Sequence, residues 1–235
     1  MLRRWVDLVR QKQRRKSFRI KMFYAFVYPF SSGIVIYAGL MAFSIIVTNI
    51  TSLLPRIAQD LYEGDITTAA SIFMWLFSFF LGGFFAGWCV EREKMRHWRY
   101  LHLFPLLVVG ILFSLVASST ASVATRHPFW LPAMLLFSLG IQNAMVSLTA
   151  SSLLKASQMT GVVNALGVDL AEIFHAEGEK KRMIKREALL RLILMASFVL
   201  GAVVSVAVFP LIGTRIFYIP AGIIAGVILH DIIRF

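Results

Sequence analysis

The chain has 235 residues, 58% of them hydrophobic and 15% charged, with a net charge of +12. Soluble domains run near half apolar and about a quarter charged; the excess here lies in runs of about twenty residues, the length that crosses a ~30 Å hydrocarbon core. An ordinary soluble domain is excluded, the alternating ten-residue segments of an outer-membrane barrel are lacking, and the basic residues sit beside apolar spans rather than in a nucleic-acid footprint.

Residues 1–28 read as a basic amphipathic cytoplasmic arm. Leu2, Trp5, Val6 and Val9 fall on one helical face, with Arg3, Arg4, Arg10, Lys12, Arg14, Arg15, Lys16, Arg19 and Lys21 around it. Such a helix suits an anionic membrane surface, so anionic lipid is the expected partner of the arm. Arg14-Arg15 is not followed by the apolar stretch of an export signal, so the pair reads as topology-setting charge.

Residues 29–235 read as a membrane domain of six spans. The first is about Pro29–Ile50, the second Ala69–Val90 and the third Leu101–Thr120. The fourth is Phe129–Leu154, the fifth Leu189–Ile212 and the sixth Ile216–Ile233. With the N-terminus inside, every one of the 24 basic residues except Arg56, Arg126 and Arg215 lies on the inner side. The positive-inside bias therefore puts both termini in the cytoplasm. The single cysteine, Cys89, allows no internal disulfide and reads as a small packing residue near a span end.

The stretch from Thr160 to Leu170 follows the fourth span. It echoes the stretch from Thr51 to Leu61 after the first, with Thr, Asp and Leu at matching places. Ser78-Phe79-Phe80-Leu81-Gly82 is similarly matched by Ser197-Phe198-Val199-Leu200-Gly201, and Phe104-Pro105 by Ile219-Pro220. Three matches in the same order point to a duplication, with one repeat over about 29–120 and the other over about 129–233. Each repeat holds an odd number of spans, so the second is upside down relative to the first. The expected fold is an all-α integral membrane protein of six transmembrane helices in two inverted three-helix repeats, a common plan among secondary transporters.

At these residues the chain resembles the YoaK-like family, six-span bacterial membrane proteins of unknown function. The resemblance rests on Gly140-Ile141-Gln142-Asn143-Ala144, Met159-Thr160-Gly161-Val162, Gly167-Val168-Asp169-Leu170, the run from Phe198 to Ala202, and Pro220-Ala221. It implies a bacterial inner-membrane location and an expectation of transport, with no substrate. The first half departs from the family pattern. Ile36 stands where an Asp is usual, and Ile50-Thr51-Ser52-Leu53 replaces the usual Met-Thr-Gly-Asn.

Gln142 and Asn143, near the centre of the fourth span, are the leading substrate-contact candidates. An amide in hydrocarbon needs partners, and the alternative reading is interhelical hydrogen bonding. Ser138 extends their polar stripe. Thr160-Gly161 and Thr51 would start amphipathic helices whose N-termini suit an anion or simply cap a connector. In the second of these helices Val162, Val163, Leu166, Leu170 and Phe174 would share the apolar face. Asp60 and Asp169 read as gating or structural residues, each bound to a basic group or a loop. Gly83-x-x-x-Gly87 and Gly222-x-x-x-Gly226 would let helices approach closely.

No acidic or basic residue lies deep in a predicted span, which argues against a buried-carboxylate proton relay. His97, His102, His127, His175 and His230 form no metal motif, and no phosphate loop or nucleophile elbow occurs. Neither an enzyme, a metal nor a cofactor is expected. The leading expectation is a permease for a small solute. The alternative is a membrane scaffold, assembly factor or lipid-interacting protein, with homo-oligomerisation left open.

Overall fold

The computed structural model describes residues 2–43, 50–96, 101, 103–119, 129–149 and 159–234, and all regular structure among them is helical. The helices are α1 (Leu2–Phe43), α2 (Ile50–Glu63), α3 (Ile66–Arg96), α4 (Leu103–Ser118), α5 (Trp130–Thr149), α6 (Met159–His175), α7 (Gly178–Ile212) and α8 (Tyr218–Arg234). A short 3-10 helix, Gly213–Phe217, joins α7 to α8. Three stretches are long and apolar enough to cross a membrane: Ile20–Phe43, Ile66–Glu93 and Gly178–Ile233, the last broken by that 3-10 turn. Leu103–Ser118 and Trp130–Met145 are shorter apolar helices.

Short polar turns set the joins. Asp65 precedes α3, and its carboxylate accepts from the Thr68 N–H at 3.0 Å and the Thr68 hydroxyl at 2.6 Å. These bonds satisfy orphan donors of the first turn and hold the carboxyl below its ordinary range. Trp75 of α3 donates its indole N–H to the Phe129 carbonyl at 3.0 Å, just before α5. Thr214 donates to the Ser119 carbonyl at 2.8 Å, tying the 3-10 turn to the end of α4.

Two helix crossings hold the bundle together, and they have the same geometry. α1 lies on α7, and α3 lies on α5. At the first crossing a Cβ built on Gly33 would stand 2.1 Å from the Phe198 carbonyl oxygen, and one on Gly201 would stand 2.1 Å from that of Phe30. At the second, Gly82 meets the Phe137 oxygen and Gly140 the Phe79 oxygen, each again at 2.1 Å. Backbone therefore touches backbone, which only residues without a side chain permit and which gives apolar helices the van der Waals contact they need in lipid. Third in importance, α4 packs along α8, with Leu106, Val109, Phe113, Ile224 and Val227 fully enclosed.

The close approaches are not all where the small-residue spacing placed them. A Cβ on Gly87, Gly222 or Gly226 would meet nothing within 4 Å, and one on Gly83 would only reach ordinary contact at 3.8 Å. The spacing marks a face on which helices can approach, but the partner must supply a matching bare backbone, and the partner is remote in sequence.

The first span also begins earlier than expected. α1 runs through Pro29 unbroken, and its apolar part starts at Ile20; the expected end, 44–50, falls largely outside the described residues. Proline at 29 lacks the N–H that would bond the carbonyl four residues earlier. That carbonyl belongs to Ala25, and the buried Ser197 hydroxyl of α7 shares its one hydrogen between it, at 3.3 Å, and the Leu194 carbonyl of its own helix, at 2.9 Å. Ser205, also buried, donates to the Ile34 carbonyl at 3.0 Å beside the Gly33–Gly201 contact of the same crossing. Replacing Ser197 by Ala should lower stability by about 1 kcal/mol. Pro29→Ala in that background should recover most of it, because the new N–H closes the bond to Ala25. Unfolding in mixed micelles of denaturing detergent reads both, and equal loss in the single and double variants would rule the account out.

Outside the contacts, large apolar side chains face away from the protein. Phe73, Phe77, Phe80 and Phe84 form one outward stripe of α3, and Val199 and Val203 one of α7. Patches of this size face a partner or a membrane rather than water.

Candidate functional site

Gln142 lies two residues beyond Gly140, and Ser31-Ser32 immediately precede Gly33. The two crossings bring α1 and α5 together at this level. The Gln142 Oε1 accepts from the Ser32 hydroxyl at 3.1 Å, and its Nε2 donates to the Ser31 hydroxyl at 3.3 Å. Gln142 is 1% exposed and Ser31 is fully enclosed. The amide thus spends one acceptor and one donor on α1, out of two of each, inside an apolar shell that includes Leu139 and Ile141. Such a group orients a polar partner or pins two helices, and its chemistry is hydrogen bonding without charge.

The remaining sequence candidates disperse. Ser138 is buried but donates to the Met134 carbonyl of its own helix at 2.8 Å. Asn143 is half-buried on the next position round α5, and its carbonyl accepts from Ser147 at 2.9 Å. Thr160 and Gly161 lie exposed in the first turn of α6. Thr51 lies in the first turn of α2, and its side chain is outside the described residues. Sequence reading did not single out Ser31 and Ser32; the pair of hydroxyls beside Gly33 within an apolar span was the available signal.

Asp169 of α6 forms an ion pair with Arg191 of α7. The two are 8% and 7% exposed, so the pair is shielded from water. In α6 the inward face carries Val162 and Asp169, while Val163, Leu170 and Phe174 point outward. The five apolar residues expected on one face are therefore split: the carboxylate needs the guanidinium inside, and the outward residues form an apolar stripe. α2 repeats the pattern, with Leu53 buried, Leu54 and Leu61 exposed, and Asp60 turned partly inward.

A third polar cluster was missed. Asp231, in the last turn of α8, is 5% exposed and accepts from the Tyr24 hydroxyl of α1. His230 Nδ1 lies 3.2 Å from the same oxygen, and its ring stacks on Phe23 at 4.8 Å. Tyr28 is enclosed beside Tyr24, at 5.8 Å between ring centres. A single acidic residue inside the sixth apolar run was the only sign in the sequence. Among the described residues no group of three or more His, Cys, Asp or Glu is placed to hold a metal ion.

A groove of about 710 Å³ opens along α4 and α8, lined by Leu107, Ile111, Ser114, Leu115, Tyr218 and Ala225 among others. A family model described as a protein of unknown function (DUF1275) matches residues 24–230, from the Tyr24 turn of α1 to the last turns of α8. No curated protein and no solved structure matches the chain.

Proposed function

We propose that this chain, which belongs to the DUF1275 family of proteins of unknown function, is a small-solute permease of a bacterial inner membrane. The reading takes it as a YoaK-like protein of six spans in two inverted three-helix repeats, with both termini in the cytoplasm. α1, α3 and α4 with the connector α2 make one repeat; α5, α7 and α8 with the connector α6 make the other. The match between the Gly33–Gly201 and Gly140–Gly82 crossings supports this, because exchanging the repeats carries one crossing onto the other.

The observation that carries transport is the Ser31–Ser32–Gln142 cluster, a buried uncharged polar group where the first spans of the two repeats meet. Inverted-repeat transporters hold substrate near the midplane at this kind of interface. A solute with hydroxyl or amide groups would exchange its bonds for those between Gln142 and the two serines. Asn143 faces the same level, and the connectors with Thr51, Thr160 and Gly161 lie at the two entrances. The N-terminal arm would rest on anionic lipid.

The test is a thermal-shift screen of the purified full chain in detergent, followed by uptake into vesicles. A ligand at 100 times its dissociation constant adds about 2.7 kcal/mol to the folded state. Gln142→Leu combined with Asn143→Leu should abolish that shift and the uptake while the protein still purifies as a folded species. Persistent uptake in the double variant would remove the site. The second reading, a lipid-interacting or scaffold protein that moves nothing, is favoured by the outward groove between α4 and α8. Stabilisation by anionic lipids alone would support it.

A further inference from the structure

The connectors α2 and α6 share a pattern of burial, yet their inward carboxylates meet different fates. Leu53 and Val162 are both buried, Leu54 and Val163 both exposed, and Leu61 and Leu170 both exposed. Asp60 and Asp169 stand at the same step of that pattern. Asp169 has Arg191. The Oδ2 atoms of Asp60 and Asp169 are both buried without a conventional hydrogen bond among the described residues, but Asp169 is ion-paired with Arg191, whereas the half-buried Asp60 has no ion pair among the described residues.

The missing partner can be named. Arg191 lies ten residues before Gly201, the crossing glycine of α7. Ten residues before Gly82, the crossing glycine of α3, stands Ile72. Both side chains are buried, at 7% and 1% exposure. One repeat thus supplies the guanidinium covalently, and the other puts an isoleucine in its place. Arg56, one turn before Asp60 on α2, is exposed and makes no ion pair with it among the described residues. Leaving a carboxylate oxygen buried without a donor is costly, and a donor cation arriving from outside would relieve that cost.

We propose that Asp60 on α2 is the carboxylate of a binding site for a guanidinium or primary ammonium group, for which Arg191 beside Asp169 is the built-in counterpart. The site rests on the two-repeat reading given above. The ligand must carry N–H donors as well as charge, because the orphaned oxygen needs both. Two sources share that chemistry: a dissolved amine or guanidine, and the ethanolamine headgroup of a lipid. The exposed Leu54, Leu61 and Tyr62 on the same helix would lie against the membrane surface in either case.

The experiment uses the purified full chain in detergent, with methylguanidinium and ethylammonium as probes. Tetramethylammonium at equal ionic strength, a cation without N–H donors, is the control. Wild type should show a saturable rise in Tm with the first two and none with the third, and Asp60→Asn should lose that rise. Ile72→Arg, which supplies the guanidinium from within, should raise Tm without ligand and abolish the response. If it does not fold, Asp60→Asn carries the test alone.

In nanodiscs, a stabilisation by phosphatidylethanolamine over phosphatidylcholine that Asp60→Asn removes would identify the headgroup as the source. A probe response that persists in phosphatidylcholine would identify a solute. Equal responses in wild type and Asp60→Asn, or no response to any probe or to phosphatidylethanolamine, would overturn the proposal. These readouts are of binding, so a cation site in a protein that moves nothing would remove the permease and keep the site. Uptake of an amine-free solute, unchanged in a chain whose Asp60 binds nothing, would do the reverse.

Discussion

Gly33→Ala should leave little folded protein after extraction, and Gly82→Ala, Gly140→Ala and Gly201→Ala should do the same. At each position the new methyl carbon would stand 2.1 Å from a backbone carbonyl oxygen of the facing helix. A flexible side chain could rotate away from such a contact; a helical carbonyl cannot, because it is already bonded along its own helix. The helices must move apart, and every contact along the crossing loosens with them. Overpacking a well-packed core costs typically about 1–3 kcal/mol, and with backbone as the obstacle we expect at least the upper end at each crossing. Gly87→Ala and Gly222→Ala are the controls, since nothing lies within 4 Å of their added methyls; with open space, alanine inside a helix should stabilise by about 0.5–1 kcal/mol rather than unfold the protein. Size-exclusion profiles and unfolding midpoints of the six variants measure the contrast. If Gly33→Ala and Gly87→Ala unfold together, the crossing is not where the backbones meet.

Removing one partner of the Asp169–Arg191 pair should be nearly as severe. Both residues are more than nine-tenths buried, so Asp169→Ala leaves a guanidinium, and Arg191→Met a carboxylate, stranded away from water. Breaking a buried pair from one side costs about 3–5 kcal/mol, whereas replacing both partners by apolar residues of similar volume is often neutral or stabilising. Asp169→Leu with Arg191→Met should therefore recover most of the stability that either single change loses. The exposed Lys180–Glu172 pair, 4.0 Å apart on the same two helices, supplies the contrast: surface pairs contribute about 0–1 kcal/mol, so Lys180→Ala should barely register. A four-member double-mutant cycle on Asp169 and Arg191 isolates the coupling. Additive losses would mean that the contact holds nothing.

The permease reading divides at the same pair. If α6 moves during a transport cycle, the double apolar variant should fold and yet change the uptake rate. If α6 is a fixed strut, uptake should track stability alone. The experiment is informative because the pair joins a connector to a span, the kind of contact that a rocking repeat must remake.

Much of the helical order was legible from the residues. The six apolar runs fall on α1, α3, α4, α5, α7 and α8, and the Thr-led stretches fall on α2 and α6. The reason is local: burial of a helical face needs a period near 3.6, and a membrane-length helix needs unbroken apolar residues, both written within a few turns of chain. Pro29 shows where local reading stops. Proline removes a donor from within the helix, and the hydroxyl that reaches the freed Ala25 carbonyl comes from Ser197, 172 positions away in sequence. Asp231 shows the same limit. Its carboxylate sits in an apolar run, and what makes that tolerable is Tyr24 from the other end of the chain.

The residues alone marked the helical segments and the ordered recurrence of Thr, Asp, Gly and Pro signals between the two halves; of the six spans expected, three stretches are long and apolar enough to cross a membrane, and Leu103–Ser118 and Trp130–Met145 are shorter apolar helices. Which helices touch emerged from their packing. That packing put the bare-backbone contacts at Gly33, Gly82, Gly140 and Gly201 rather than along the Gly-x-x-x-Gly faces, joined Gln142 to Ser31 and Ser32, and gave Asp169 a guanidinium while leaving an oxygen of Asp60 without a donor among the described residues. Helix propensity and hydropathy are sums over neighbours in the chain. A crossing or a buried polar bond depends on the complementarity of two surfaces a hundred or more residues apart, and no local period encodes that.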